Sequence, residues 1–323
     1  VRFLCLATLL LAAPGSRGGA ATLVELARIW DAAPHNAFTD LARFQGRWYC
    51  VFREGQAHVS PDGALRVIVS EDGRAWSSAV RLTSADADLR DPKITVTPEG
   101  SLMLTGAAAR HPPAAAKHQT LAWFSRDGRT WSEPVNLGEA DFWLWRVTWH
   151  RQRAYGVGYH TAGENFVRLY ASLDGRRFEA LVPRLFDAGR PNEHALVFLP
   201  DDTCLCLLRR DGQPESAQLG SARPPYTHWT WKDLAVRVGG PNGIRLPDGR
   251  LVAAARRYDG GVRTSLMWLD ADPGRLVEFL RLPSDGDTGY PGLVWHEGLL
   301  WVSYYSSHEG KASIYLAKVR LEP

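Results

Sequence analysis

Cysteine is scarce in this chain, at four in 323 residues. Three of them, Cys50, Cys204 and Cys206, lie beyond the first twenty residues. An odd number without regular spacing excludes a disulfide scaffold. Cys204 and Cys206 stand two apart in the apolar run "TCLCLLRR" and share one face of a strand as small hydrophobes. No further Cys or His falls at zinc spacing, so no metal is expected. Few stretches show a helical apolar period, and Gly and Pro interrupt the chain throughout, which argues against a helical fold. No segment after the first twenty residues has the length and apolarity of a membrane span. Nucleotide and redox motifs are missing, so no cofactor is expected. Charge of one sign is missing too: the net charge is +3, and removing Arg2 and Arg17 with the first twenty residues leaves +1. Nothing there argues for nucleic acid as a partner.

Those first twenty residues run from Arg2 through "FLCLATLLLAA" to the small polar stretch "PGSRGGAA". A charged start, an apolar run and a small-residue exit read as a secretory signal peptide over 1–20, and hence a secreted or periplasmic protein. A run of about a dozen apolar residues is too short for a bilayer core of roughly 30 Å. Cys5 precedes that run, the wrong order for a lipoprotein anchor. Residues 21–323 are then expected to form a single domain. All thirteen tryptophans lie after Arg28, enough to fill an all-β core or to line a sugar pocket.

A repeat organises that domain. "VSEDGRAWSSAVRL" begins at Val69, "FSRDGRTWSEPVNL" at Phe124 and "ASLDGRRFEALVPRL" at Ala171. Each has Ser, one residue, Asp-Gly, two residues and an aromatic. The Asp-Gly suits a tight turn with positive φ, and Ser and Asp can accept backbone N–H groups inside it. The second half keeps the beat in "SAQLGSARPPYTHWTWKDL", "TSLMWLDADPGRLVEFLRL" and "ASIYLAKVRL". Each of the six units follows a shorter β-like run, from "GRWYCVFRE" to "GLLWVSYYS". Periods near fifty residues indicate an array of small sheets. Arranged in a ring, such sheets bury their faces against neighbours and shield most edges. The expectation is an all-β, six-bladed β-propeller of four-stranded antiparallel blades, with "TLVELARIW" closing the last blade beside the C-terminal strand. A β-sandwich is disfavoured by the repeated hairpins and the lack of a linker.

The three turn motifs resemble the Asp-box (BNR) repeats of sialidases and related six-bladed propellers. The usual form carries one more residue between Asp and Gly than these copies do. The box marks a fold, because many non-enzymatic propellers contain it.

Register within the repeats points to chemistry. Seven residues beyond the central turn of three inner hairpins stand Arg53, Arg209 and Arg256, and Tyr305 shares that register. Equivalent positions of a propeller converge on one axis, where guanidiniums would bind a carboxylate in bidentate fashion. Nine residues before the same turns lie Asp91 and Glu193, and Gly289 beside Tyr290. A carboxylate next to Tyr290 could take its proton and let the phenol attack. A neutral phenol suits an anomeric centre that itself carries a carboxylate, where a carboxylate nucleophile would be repelled.

This set resembles the exo-sialidase constellation. The resemblance implies Tyr290 as nucleophile, Glu193 of "NE" as its partner, Arg209 and Arg256 as two of three triad arginines, and Asp91 as the acid, with Asp40 in reserve. One departure stands out: sialidases open the first blade with Arg-Ile-Pro, and this chain has "HNAFTDLARF". Arg53, Arg90 and Arg146 are candidates for the missing arginine. In "DFWLWRVTWH", Trp143 and Trp145 alternate and could offer a stacking wall for a sugar. The sequence therefore implies a glycoside hydrolase with a carbohydrate substrate, sialidase-like and acting on terminal acidic sugars. Two alternatives accompany it: a hydrolase for another sugar using paired carboxylates, and a non-catalytic carbohydrate-binding propeller.

Overall fold

A computed structural model describes residues 20–322. The leader expected over 1–20 therefore lies outside the described residues, apart from Ala20. Six antiparallel sheets follow one another along the chain, each with four strands from the axis outward, forming a six-bladed propeller. The innermost strands are His35–Phe44, Ala87–Val96, Pro191–Phe198, Val238–Arg245 and Gly289–His296. In the third blade the inner strand is split into Phe142–Leu144 and Thr148–His150, both paired with Arg153–His160. The ring closes as expected: Ala21–Trp30 pairs antiparallel with Ser313–Leu321 as the outer strand of the sixth blade. No helix among the described residues is long and apolar enough to cross a membrane.

The alternation of apolar residues on both faces of each strand explains the ring, because every sheet is covered on two sides. Each gap between neighbouring blades holds its own apolar layer. Trp48 stacks on Trp301 at 4.0 Å and 22° across the seam between the first and sixth blades. Cys204 and Cys206 are buried in one such layer, where burial pushes both thiols up. They act as small hydrophobes.

All three turn motifs fold alike. Ser125 Oγ accepts the Gly128 N–H at 2.8 Å, and Asp127 Oδ1 accepts those of Arg129 and Thr130, each at 2.8 Å. Gly128 has φ +71°, and a Cβ there would meet the Tyr49 ring of the preceding blade. The box thus satisfies its own turn and packs against its neighbour.

Those backbone N–H groups lower the Asp127 carboxyl to about 2. A depressed folded-state pKa stabilises above the unfolded value and is lost as pH falls through the folded one. Asp127→Ala should therefore lower the melting temperature by a few degrees at neutral pH. Scanning calorimetry across pH should show that difference shrinking from about pH 4 downward and vanishing near pH 2.

Candidate active site

One irregularity recurs at the same end of the axis. In five inner strands two residues stand opposite one: Phe38–Thr39, Asp91–Pro92, Asn192–Glu193, Gly240–Pro241 and Tyr290–Pro291. A β-bulge of this kind bends the strand and re-aims its side chains. Phe38, Asp91, Gly240 and Tyr290 carry it with φ of 64°, 47°, 56° and 50°. For non-glycine residues that conformation costs about 1–3 kcal/mol each and clusters at functional sites. Glycine is required in the fifth blade, since a Cβ on Gly240 would run into the Tyr290 ring.

The bulges bring Tyr290 and Glu193 together. Tyr290 Oη donates to Glu193 Oε1 at 2.6 Å. Arg209 Nη1 serves both partners, 3.1 Å from Tyr290 Oη and 2.7 Å from Glu193 Oε2. The Gly240 N–H donates to Glu193 Oε2 at 2.6 Å. Tyr290 itself is held by Thr39 Oγ1, which donates to its carbonyl at 2.8 Å, and by the rings of Phe38 and Trp145 at 5.2 and 5.5 Å. Burial, with Glu193 next, drives the Tyr290 phenol well above its ordinary value, while Arg209 and Arg256 oppose the rise. The phenol rests protonated beside a base that can receive its proton.

Asp91 lies 6% exposed in the same cluster, and its Oδ1 is buried without a hydrogen-bond partner. Burial raises its carboxyl above the usual range; Arg90 and Lys93 pull it down, and Glu193 adds to the rise. A carboxyl in that state can donate a proton.

The remaining expected residues divide into two groups. Arg256 reaches the site: its guanidinium lies 5.1 Å from the Tyr290 ring, with Nη2 on Tyr305 Oη at 2.6 Å and on Asp287 Oδ1 at 3.3 Å. Tyr305 is fully buried and donates to Asp287 Oδ1 at 2.8 Å, so it orients that pair. Arg90 leans over Phe38 at 5.4 Å, with its Nε 3.9 Å from Asp91.

Arg53 departs from the expectation. It is fully buried, with Nε on Asp88 at 2.8 Å and its other nitrogens on Ala57 and Ser60. Its donors are spent on Asp88 of the next blade and on the loop around Ala57 and Ser60. Arg53, Arg256 and Tyr305 keep the shared register, each paired with the residue just before its bulge, whereas Arg209 departs from it and stands opposite the doubled residues. Asp40 is 1% exposed, accepting Ile94 N–H at 3.0 Å and Arg146 Nη1 at 2.8 Å, so both members of that pair hold blades together. Trp143 and Trp145 are buried, Trp143 stacked on Tyr159 at 5.7 Å. They back the site and present no open stacking wall.

Several contributors escaped the sequence reading. Phe38 takes the place in the first blade where a third arginine was sought. Asp287 accepts His35 Nε2 at 2.8 Å and His58 Nδ1 at 2.7 Å on one oxygen, and Tyr305 and Arg256 on the other. These donors hold its carboxyl far below the usual range. Lys93, two residues after Asp91, lies buried beneath Tyr290. Alternation along a regular strand could not have found it, since the bulge breaks the alternation.

Glu193→Ala should leave Arg209 and the Gly240 N–H short of an acceptor. Urea unfolding should then show a loss of about 3 kcal/mol, with Asp211 partly sparing Arg209.

Neither a protein-family model nor a curated protein matches the sequence. Solved structures do resemble the fold. A protein of unknown function from Dyadobacter fermentans superposes with TM-score 0.80 at 18% identity, covering 94% of this chain and 100% of that one. An α-L-arabinofuranosidase from Fusarium graminearum gives 0.71 at 13% identity, over 92% and 98%. A sialidase from Trypanosoma rangeli gives 0.68 at 12% identity, covering 95% of this chain and 60% of that one. At these identities the likeness establishes the propeller fold, one that serves glycosidases of different sugars.

Proposed function

We propose that this chain is a retaining glycoside hydrolase of the propeller type that removes a terminal sugar through Tyr290. The observation that carries the reading is the Tyr290 Oη–Glu193 Oε1 contact of 2.6 Å with Arg209 bridging both groups. Arabinofuranosidase and sialidase neighbours on the same fold support a carbohydrate substrate. A nucleophile only 7% exposed suits the end of a glycan more than its middle.

In the first half-reaction Tyr290 Oη bonds to the anomeric carbon and passes its proton to Glu193. The bond to the leaving oxygen breaks, its electron pair stays on that oxygen, and Asp91 supplies the proton. In the second half-reaction water adds to the anomeric carbon and gives a proton to Asp91. The tyrosyl bond breaks, and the phenolate recovers its proton from Glu193. A phenol nucleophile favours a substrate bearing a carboxylate at the anomeric centre, as in sialic acids, with Arg256 and Arg209 beside it.

A second reading rests on one observation. Phe38 stands where a third arginine was sought, and both cleft arginines already carry carboxylates, Arg209 those of Glu193 and Asp211 and Arg256 that of Asp287. On that ground the sugar is neutral, and Glu193 and Asp91 are the reacting carboxylates.

The test is a panel of aryl glycosides: an α-sialoside, uronides, and neutral sugars including an α-L-arabinofuranoside. Turnover of the sialoside, lost more than about a thousandfold in Tyr290→Phe, is the expected result. A neutral sugar turned over equally by Tyr290→Phe would favour the second reading, and silence across the panel would favour a binding propeller.

The pH profile follows from Asp91. Its raised pKa keeps the acid form to higher pH, so activity should fall on the alkaline side as Asp91 ionises. Asp91→Asn should lack that limb and slow poor leaving groups by about 10²–10⁴, as steady-state rates across leaving groups would show.

A further inference from the structure

Just past the five bulges the inner strands carry Asp40, Lys93, His194, Asn242 and Gly292. Three of these join one blade to the next: Asp40 accepts Ile94 N–H, His194 Nε2 accepts Val157 N–H at 3.2 Å, and Asn242 Nδ2 donates to Pro291 O at 3.0 Å. Lys93 makes no such link. Its hydrogen bond stays within its own strand, to Pro92 O at 3.1 Å. Lys93 is 3% exposed, and its ammonium instead lies 4.6 Å from the Trp145 ring centroid and 5.9 Å from that of Tyr290. Three cations therefore surround the Tyr290 ring. Arg209 and Arg256 are neutralised by Glu193, Asp211 and Asp287. Among the described residues no carboxylate pairs with Lys93, whose charge is left to act on the rings above it.

We propose that Lys93 is a positioning residue for the Tyr290 reaction, its buried ammonium favouring the phenolate and so easing both the making and the breaking of the tyrosyl–sugar bond. The inference rests on the tyrosine mechanism above. In each half-reaction Tyr290 starts uncharged, first as the phenol and then as the tyrosyl–sugar ether, and takes on phenolate charge in the transition state, which is costly in a dry site. A cation held over the ring face in a dry site stabilises that charge in both half-reactions. Tyr290 gains it through the ring face, with no further hydrogen bond to an oxygen that already donates to Glu193 and accepts from Arg209.

The charge is also titratable. Burial, then Arg146, lowers Lys93 to about 8, while Asp91, Asp40 and Glu193 oppose the shift. Its contribution is present below that pH and lost as pH rises through it.

The experiment compares the full chain with Lys93→Met and Lys93→Arg, on an aryl glycoside with a good leaving group that the wild type hydrolyses and Tyr290→Phe does not. Such a leaving group departs without a proton from Asp91, which separates the two titrations. Lys93→Met should lose about 10–100-fold in kcat with little change in KM, at an unchanged urea midpoint. Lys93→Arg should recover most of that rate and should abolish the alkaline fall near pH 8 seen in the wild type. Wild-type kcat in Lys93→Met, or equal losses in both variants with an unmoved pH profile, would overturn the proposal. An inactive wild type or an active Tyr290→Phe would instead remove the tyrosine mechanism beneath it, and the proposal with it.

Discussion

The site depends on a repeated backbone defect. A propeller of regular inner strands would alternate its side chains between the two interblade layers and send none along the axis. One extra residue in each of five strands breaks that alternation at a common height. Asp91 and Tyr290 are turned inward at positive φ, Glu193 follows from the fourth blade, and the fifth contributes a bare N–H from Gly240. The strain at Tyr290 is supported from neighbouring blades. Thr39 holds the Tyr290 carbonyl, and the Phe38 and Trp145 rings fix its plane. Six apolar layers around the ring supply the rigidity that this requires.

Electrostatics then assigns the roles. Burial acts alike on Asp91 and Tyr290, raising both above their ordinary values. For Asp91 the result is a carboxyl that holds its proton to higher pH. For Tyr290 it is a resting phenol whose proton already points at Glu193. Cations oppose burial at both groups: Arg90 and Lys93 at Asp91, Arg209 and Arg256 at Tyr290. The site is balanced, and small movements of charge carry the chemistry. Such balance also explains why the arginines alone do not identify the substrate. Each is already partnered, so a ligand carboxylate would meet a nearly neutral wall with Phe38 on one side.

The fold was legible because its signals are local. Asp-Gly turns, paired β runs and the "TLVELARIW" closing strand each read from a few neighbouring residues. Tyr290, Glu193 and Arg209 were legible as a group because all three flank the inner hairpins near the axis. Arg53 misled because register says where a Cα stands and nothing about where a long side chain ends; its donors met Asp88 and two loop carbonyls first. Asp40 and Arg146 misled similarly, by finding each other. Asp287 and Lys93 went unread for a different reason. Their roles arise from contacts between blades and from the bulge, and neither leaves a periodic trace in the sequence.

The central claim is that Tyr290 forms the bond to the sugar. The most direct measurement is to trap that bond with a fluorinated glycosyl fluoride of whichever sugar the protein accepts, then map the modified peptide by mass spectrometry. The account predicts one equivalent of adduct on the peptide containing Tyr290, absent from Tyr290→Phe. An adduct on Glu193 or Asp91, or turnover that inverts the anomeric centre and leaves the protein unlabelled, would contradict it.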